Sequence, residues 1–361
     1  MAPAAAQPAT PVREIRVAVL DGVPTLEIGG GPLELRDLEG RPLSGSGATW
    51  LRLVFRGNGV EVRPSRFPVQ PGLRITSARG AVRVNARDYP GTIEVSATGD
   101  GLLVVNQLPF EDYLAGTVLA EAGERAPIEM LKAQAIVART YAAYHWRLNA
   151  ARPFHILSST ANQQYLGTVA PASPVRVAVR ETTGRVLLWD GDVFPAFYHT
   201  DSGGHTEDPR VVFGTGAMPA LVPVRVEFAT DSPHRLWNLD LSLADISASL
   251  RRGGVAVGRI LALEVLERSV SLRVARILVR GTQGSASLRG NEFRRLVGYD
   301  TLKSTLFAVA IDGDVARFAG RGYGHGVGMD QAAARAMAQQ GYTWEQILAY
   351  YYPGAAFGAI R

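Results

Sequence analysis

A nine-residue segment with glycine at every second position surrounds one histidine of the chain. It reads Gly-Arg-Gly-Tyr-Gly-His-Gly-Val-Gly over residues 320–328. Alternate glycines cost a strand conformational entropy unless its backbone has to approach another group closely. His325 stands among residues too small to bury it, which favours a ligand contact there and at the neighbouring Tyr323. The alternative interpretation is structural: a glycine-rich strand or turn packed beneath a helix.

A second polar segment, residues 198–206, combines two histidines, an aspartate, hydroxyl groups and a Gly-Gly pair. This composition indicates the wall of a polar pocket, with candidate substrate-binding residues His199, Ser202, Gly203, Gly204 and His205. His199, Asp201 and His205 would also supply three zinc ligands. Most histidine pairs at this spacing are accidental, however, so the sequence predicts no cofactor and leaves zinc as the open alternative. A serine hydrolase is disfavoured because the glycine two residues before the serine of a nucleophile elbow is missing.

Two carboxylates stand close together in a short segment between two predicted helices. Residues 119–127 read Leu-Ala-Glu-Ala-Gly-Glu-Arg-Ala-Pro, which predicts a loop. A carboxylic acid can protonate a glycosidic oxygen if apolar surroundings raise its pKa. Glu121 has Leu and Ala neighbours of this kind, whereas Glu124 precedes an arginine and is expected to be more solvated. The alternative for either residue is an ordinary surface acid.

Strand patterns dominate the first hundred residues and helical patterns follow. Short segments rich in Val, Ile and Leu alternate with turn signals and predict antiparallel strands, at residues 15–20, 51–55, 81–84, 92–95 and 102–105. One helix is predicted to open at Pro109, and a second to run from Pro127 to about Leu148 with a buried face of small residues. Later segments predict strands at 185–189 and 193–197 and helices at 241–250, 330–340 and 344–351.

These patterns predict an α+β fold. We expect a β-rich N-terminal region, 13–84, followed by a mixed domain, 85–361, with helices flanking a cleft. A mixed α/β subdomain is predicted to be inserted at about 222–307. Residues 1–12, which are rich in Ala and Pro, predict a flexible linker, with an ordinary frayed terminus as the alternative. They lack the basic start and apolar run of a secretory signal.

Composition narrows the function classes. Hydrophobic residues make up 47% of the 361 residues and charged residues 20%, enough for a substantial core. The net charge of +5 favours anionic partners, but the positive residues are scattered, and a nucleic-acid partner is not predicted. The absence of cysteine excludes disulfides and thiol nucleophiles. No apolar run approaches the length of a membrane span.

Taken together, the motifs resemble the stage II sporulation protein D family, also called SpoIID/LytB, which includes amidase enhancers. The resemblance covers about residues 85–361 and is weak before them. Its elements run in the family's order: Tyr89-Pro-Gly91, the segments 106–116 and 131–142 on either side of Glu121, Ser202-Gly-Gly-His-Thr206, Lys303-Ser-Thr-Leu-Phe307, residues 320–331, and Tyr351-Tyr-Pro-Gly354.

The resemblance implies an extracytoplasmic enzyme that cuts peptidoglycan glycan strands stripped of stem peptides. It implies Glu121 as the catalytic acid/base, although the family's Glu-Met-Pro triplet reads Glu-Ala-Gly here. Substrate-binding roles are expected at Gln134, Arg139 and Gln331 in addition to the residues of the two polar segments, and Arg139 can equally be a structural hydrogen-bond donor. Some members bind zinc through His and Cys near the Ser-Gly-Gly element, and a chain without cysteine departs from that pattern.

The expected reaction is that of a lytic transglycosylase, which forms 1,6-anhydromuramic ends. A single acid/base suffices for it, because the attacking hydroxyl belongs to the sugar. Two other classes remain open. One is a non-catalytic glycan-binding enhancer of a cell-wall amidase, and the other is a metal-dependent hydrolase built on His199, Asp201, His205 and His325.

Overall fold

The computed structural model describes residues 13–228 and 231–360, and the chain forms two units. The first contains residues 13–195 together with 357–360, and the second contains residues 196–356. The predicted linker, residues 1–12, lies outside the described residues. The mixed α+β composition and the β-rich N-terminal region are confirmed.

The first unit begins with eleven antiparallel strands, which form two six-stranded sheets together with the later, parallel β12. The strands are β1 (Glu14–Val23), β2 (Thr25–Gly29), β3 (Leu33–Asp37), β4 (Trp50–Arg56), β5 (Gly59–Arg63), β6 (Phe67–Val69), β7 (Gly72–Ser77), β8 (Ala81–Val84), β9 (Arg87–Pro90), β10 (Thr92–Thr98) and β11 (Gly101–Pro109). The helices and strands that follow are α1 (Phe110–Ala122), α2 (Ile128–Leu148), β12 (Ile156–Leu157), α3 (Pro174–Glu181) and β13 (Arg185–Leu188).

Each of the two sheets contains strands from before and from after residue 84, where a domain boundary is predicted. One sheet has the order β12-β1-β11-β10-β7-β3, and the other has β6-β5-β4-β2-β8-β9. The predicted boundary falls within the β8–β9 hairpin, where Val84 pairs with Arg87. Residues 13–84 therefore do not form a separate unit. β11 is the most buried strand, and its Leu103 and Val105 pack with Ala18, Phe154 and Leu157.

The two predicted helices of the first unit are present, with one difference that matters for the site. α2 begins directly after Pro127 and ends at Leu148, as predicted. α1 continues through Ala122, so Glu121 lies in its last turn and not in a loop. Leu, Ala and Glu are strong helix formers, which extends the helix until Gly123 ends it with a φ of 72°.

The second unit contains the remaining elements. They are β14 (Tyr198–His199), α4 (Pro209–Phe213), β15 (Trp237–Ser242), α5 (Leu243–Arg252), β16 (Ile260–Arg268), β17 (Val274–Gly281), β18 (Gly284–Arg289), α6 (Gly290–Val297), β19 (Phe307–Asp312), β20 (Val315–Gly320), β21 (Met329–Asp330), α7 (Gln331–Gln339) and α8 (Trp344–Tyr351). The chain then returns to the first unit with β22 (Ala356–Ala359), which pairs with β13.

An apolar core of the second unit lies in the region predicted as an inserted subdomain and extends beyond the predicted limit at 307. Two three-stranded sheets, β15-β20-β19 and β16-β17-β18, surround this core together with α5 and α6. Its buried residues run from Trp237 to Phe318, so the β19–β20 hairpin belongs to it. The strand predicted at 193–197 is absent, because Pro195 lacks the N–H that a strand ladder requires. The next strand along the chain is β14, which begins at Tyr198.

Helix ends in the second unit follow the sequence closely. α8 has the predicted bounds and the predicted capping box between Thr343 and Gln346. Asp330 caps α7, its carboxylate accepting the N–H of Ala333 at 2.9 Å. This capping fixes the end of the glycine-rich segment against α7.

Candidate functional site

Glu121 is held at the end of α1 by a segment that connects α2 to α3. Its Oε1 accepts the main-chain N–H of Gln164 at 2.8 Å. The side chain is partly buried, whereas Glu124 lies in the loop after the helix and is exposed. Tyr113 and Thr117 precede Glu121 by two turns and one turn on the same helix face and are buried. The two neighbouring acids therefore occupy different environments. Glu121, the candidate acid/base predicted from the sequence, lies in the more enclosed one.

Residues 162–165, the segment that holds Glu121, are not among the site residues predicted from the sequence. In the structure, Gln163 accepts the hydroxyl of Tyr113 at 2.9 Å, and Asn162 donates to the hydroxyl of Tyr141 at 3.1 Å. Tyr165 donates to Asn106 of β11 at 2.9 Å. The available signal was the alternation of apolar or small residues at Tyr165, Gly167 and Val169, which are all buried. The segment connects α1, α2 and β11 around the carboxylate.

Two tyrosines provide the aromatic surroundings of Glu121. Tyr113 is fully buried, and Tyr141 of α2 is only 5% exposed. Burial raises the pKa of both hydroxyls, and the negative charge of Glu121 raises it further. Both hydroxyls therefore stay protonated at neutral pH; that of Tyr113 donates to Gln163, and that of Tyr141 accepts from Asn162.

A glycine of α1 permits this arrangement. A Cβ at Gly116 would lie 2.4 Å from Cε2 of Tyr165 and 2.6 Å from the carbonyl oxygen of Gly167. The aromatic ring therefore packs directly on the helix backbone. Tyr165 packs on Gly116, and its neighbour Gln164 reaches the Glu121 carboxylate at the end of the helix.

Arg139 has a structural environment in α2. Its side chain is fully buried, and it forms two hydrogen bonds to Glu111 of α1, with Nε to Oε1 at 3.0 Å and Nη2 to Oε2 at 2.7 Å. It also donates to the carbonyl oxygens of Arg185 and Val179. This geometry leaves no exposed guanidinium surface for a glycan, and it favours the structural alternative. Gln134, the other candidate of α2, is likewise fully buried.

In the second unit, the two polar segments found in the sequence lie against each other. β14 pairs with β21 in parallel, with His199 opposite Asp330. Backbone hydrogen bonds join Asp201 and Tyr323 in both directions, at 3.0 and 2.9 Å. The N–H of Ser202 donates to Oδ2 of Asp330 at 2.8 Å. Gln331, the first residue of α7, is nearly buried beside this contact.

The Ser-Gly-Gly turn is bound through its backbone. Asp201 accepts the N–H of Gly203 at 2.7 Å, and the hydroxyl of Ser202 accepts the N–H of Gly204 at 3.1 Å. The buried Arg273 donates to the carbonyl oxygen of Ser202 at 2.5 Å. Burial raises the pKa of Asp330, which accepts from this turn, to about 6. The serine is itself fully buried, which fits a structural turn better than a nucleophile.

The alternate glycines contact protein. A Cβ at Gly324 would lie 2.8 Å from Cβ of His199, and one at Gly326 would lie 2.6 Å from the guanidinium of Arg273. At Gly328 the same atom would lie 1.9 Å from the carbonyl oxygen of Phe197. All three have positive φ values, which L side chains rarely adopt. The pattern therefore follows from close internal packing, the structural alternative left open by the sequence.

His325 is enclosed more than its small sequence neighbours indicate. Its ring lies 5.7 Å from that of Phe197 and 5.5 Å from that of Phe213, and its Nδ1 accepts the N–H of Val327 at 3.0 Å. Burial, followed by the charges of Arg294 and Arg273, lowers the pKa of the imidazole to about 3. His325 is therefore neutral at physiological pH. The sequence could not show this because the enclosing rings come from residues more than one hundred positions away.

Tyr323 is half-buried, and its hydroxyl donates to Asp300 at 2.9 Å. Its ring packs edge-on against His234, with centroids 4.7 Å apart.

The three candidate zinc ligands do not converge. Nδ1 of His199 bonds the carbonyl oxygen of Val327 at 3.1 Å, and Nδ1 of His205 bonds that of Thr206 at 2.7 Å. Within residues 13–228 and 231–360, no group of three or more His, Cys, Asp or Glu side chains could hold a metal ion. The residues present do not fit a zinc centre.

No helix in the described part of the chain has both the length and the apolar character needed to span a membrane. A family model described as "Stage II sporulation protein" (SpoIID) matches residues 98–189, which contain α1, α2 and Glu121. A second model, described as a domain of unknown function (DUF8618), matches residues 225–328.

Relatives extend the match along most of the chain. An uncharacterised protein of Brachyspira hyodysenteriae is 30% identical over 272 residues, which are 75% of this chain and 72% of the relative. "Stage II sporulation protein D" of Bacillus subtilis is 29% identical over 316 residues, covering 82% of this chain and 86% of the relative. "Amidase enhancer" of the same organism is 27% identical over 349 residues, covering 82% of this chain but 46% of that protein. With its motifs in order and matches of this extent, the chain belongs to the stage II sporulation protein D family.

Proposed function

We propose that this protein is a lytic transglycosylase that cleaves the bond between N-acetylmuramic acid and N-acetylglucosamine in glycan strands stripped of stem peptides. The names of its relatives support a role at the cell wall, and such a substrate requires an extracytoplasmic location. The observation that carries the proposal is the position of Glu121, a partly buried carboxyl group in the last turn of α1 that accepts a main-chain N–H from a distant segment. In this proposal α1 and α2 flank the cleft.

The reaction needs one group that first gives and then takes a proton. Glu121 protonates the glycosidic oxygen as its bond to C1 of the muramic residue breaks. The muramic 6-hydroxyl oxygen attacks C1, and its proton passes to the Glu121 carboxylate. The product is a 1,6-anhydromuramic end, and the acid is regenerated. Ordinary glycosidases need a second carboxylate to act as a nucleophile or to activate water. Here the nucleophile is part of the substrate.

The surroundings of Glu121 suit this double role. A carboxyl group in the last turn of a helix faces the negative end of the helix dipole, which favours the neutral form that donates a proton. The N–H of Gln164 fixes the orientation of the group and stabilises the carboxylate once the proton has left. Glu124, exposed in the following loop, lacks these features.

The second candidate function is a non-catalytic enhancer that binds glycan and stimulates a cell-wall amidase. It is favoured by the relative named "Amidase enhancer", which matches 82% of this chain.

Product masses separate the candidates. Purified protein is incubated with stripped glycan strands, and the products are identified by mass spectrometry. The proposal expects anhydromuramic ends. Reducing muramic ends would indicate a hydrolase, and uncut strands together with a stimulated amidase would indicate the enhancer.

A further inference from the structure

An open groove of about 990 Å³ lies within the second unit, and most of its lining residues belong to the region matched by the family model of unknown function. Its floor is formed where β15, β20 and β19 meet, with Gly320 paired to both Trp237 and Phe307. One wall is the turn between β16 and β17. The other contains Gly203, Gly204 and His205 of the Ser-Gly-Gly segment.

The groove is positively charged. Arg225, Arg268 and Arg321 line it, and none of its described lining residues is Asp or Glu. The guanidinium of Arg268 is fixed by hydrogen bonds to the carbonyl oxygens of Leu272 and Phe307, at 2.7 and 3.0 Å. Arg225 is largely exposed, and its only ion pair among the described residues is with the equally exposed Glu227 at 3.3 Å. A planar guanidinium binds carboxylates with two parallel hydrogen bonds, so this surface is suited to carboxylate-bearing ligands.

Aliphatic side chains stand beside the arginines. Leu236, Val270 and Leu272 line the same groove and are 68%, 79% and 64% exposed. Leu272 adopts a φ of 65°, which a residue of this type rarely does. Exposed aliphatic groups gathered at one site indicate a ligand with apolar groups of its own. The ligand should therefore present carboxylates and small apolar groups close together.

We infer that this groove binds the lactyl groups of stripped glycan strands, an inference that rests on the proposed substrate. Each stripped muramic residue carries a lactyl ether with one carboxylate and one methyl group, next to an acetamido methyl group. The carboxylates pair with Arg321 and Arg225, and the methyl groups pack on Val270 and Leu272. When a stem peptide is attached, the lactyl carboxylate is consumed in an amide bond and loses its charge. The groove thus selects stripped strands over intact ones.

The test measures binding without cleavage, using the full chain with Glu121→Gln. Fluorescently labelled stripped strands, strands with stem peptides and neutral N-acetylglucosamine oligomers are titrated, and Kd is read from anisotropy at several salt concentrations. We expect stripped strands to bind most tightly, with an affinity that falls as salt rises. Adding Arg225→Gln and Arg321→Gln should weaken that binding by at least about tenfold and reduce its salt dependence.

A matched control removes the same charge outside the groove. Arg276 and Arg317 are exposed arginines of β17 and β20 that do not line it. Arg276→Gln with Arg317→Gln should leave Kd unchanged. Arg268 is not substituted because it braces the groove backbone. Equal binding by the groove variant and its control, or tighter binding of strands that keep their stem peptides, would overturn the inference.

The outcome is distinguishable from failure of the proposed function. Parent protein that yields anhydromuramic ends while the groove variant binds normally refutes the groove alone. Charge-dependent binding of stripped strands without any cleavage refutes the transglycosylase and supports the groove.

Discussion

The main-chain N–H of Gln164 donates to Oε1 of Glu121 at 2.8 Å, across 43 residues of sequence. Neither the loop position first assigned to Glu121 nor its apolar sequence neighbours account for its surroundings. They arise because the segment 162–165 is fixed to α1 and α2 by side-chain hydrogen bonds. The proposed role of Glu121 as the acid/base depends on this contact.

Gly116→Ala tests whether the 162–165 segment positions Glu121. Alanine normally stabilises a helix interior by about 1 kcal/mol relative to glycine. Here the added methyl group would displace Tyr165 or Gly167, and we expect a loss of roughly 1–3 kcal/mol in the free energy of unfolding. Cleavage of stripped glycan should fall by up to about 10²-fold because Gln164 moves with Tyr165.

The control for this variant is Ala120→Gly, which weakens the same helix by removing a side chain. It should lower stability by about 1 kcal/mol and leave cleavage unchanged. If Gly116→Ala is as stable and as active as the parent, the segment does not position the acid.

Arg139 is expected to act through stability. Arg139→Gln breaks its buried contacts with Glu111 and with carbonyl oxygens of α3 and β13. Removing one partner of a fully buried pair costs roughly 3–5 kcal/mol. The loss here should be smaller, because the Glu111 side chain is 35% exposed. Chemical denaturation of Arg139→Gln, Glu111→Gln and the double variant should show strong coupling between the two positions. A variant that keeps its stability but loses affinity for glycan would instead make Arg139 a substrate ligand.

His325 should remain neutral through the physiological range. Its pKa of about 3 lies below the ordinary value of 6.5. Between these two pH values, the imidazole is protonated in the unfolded chain but stays neutral in the native state. The contribution of this residue to stability is therefore present above pH 6.5 and declines as the pH falls from 6.5 towards 3. In NMR spectra, the C2 proton of His325 should not titrate between pH 8 and pH 5.

The same sign predicts a difference between variants. Between pH 7 and pH 4.5 the parent should lose more unfolding free energy than His325→Gln, since the variant carries no imidazole to protonate. A His325 resonance that titrates near 6.5 would show an accessible, charged ring and would restore it as a candidate substrate contact.

Metal removal should leave cleavage intact. His199, Asp201 and His205 do not converge on a common point, and their bonds to backbone groups orient them separately. Dialysis against a chelator followed by the glycan assay is therefore expected to give unchanged turnover. One equivalent of zinc by elemental analysis, lost together with activity in His205→Ala, would contradict this expectation.

The sequence predicts local elements far better than it predicts contacts. The bounds of α2 and α8 and the cap at Asp330 follow from signals within a few residues. The environments of Glu121, Arg139 and His325 depend on partners from distant segments, which a single sequence does not pair. The alternate glycines predict that another group approaches their backbone closely. In the structure that group is protein, and the sequence pattern alone cannot distinguish protein from a ligand.

A comparison of Glu121→Gln with Glu124→Gln on stripped glycan strands tests whether Glu121 is the acid/base. The substitutions are isosteric, and circular dichroism and melting temperature verify that both variants are folded. Anhydromuramic ends are counted by mass spectrometry over time. Removing the proton donor should lower the rate of Glu121→Gln by at least about 10²-fold, while Glu124→Gln keeps nearly the full rate of the parent. Near-normal formation of anhydromuramic ends by Glu121→Gln would show that Glu121 is not the acid/base.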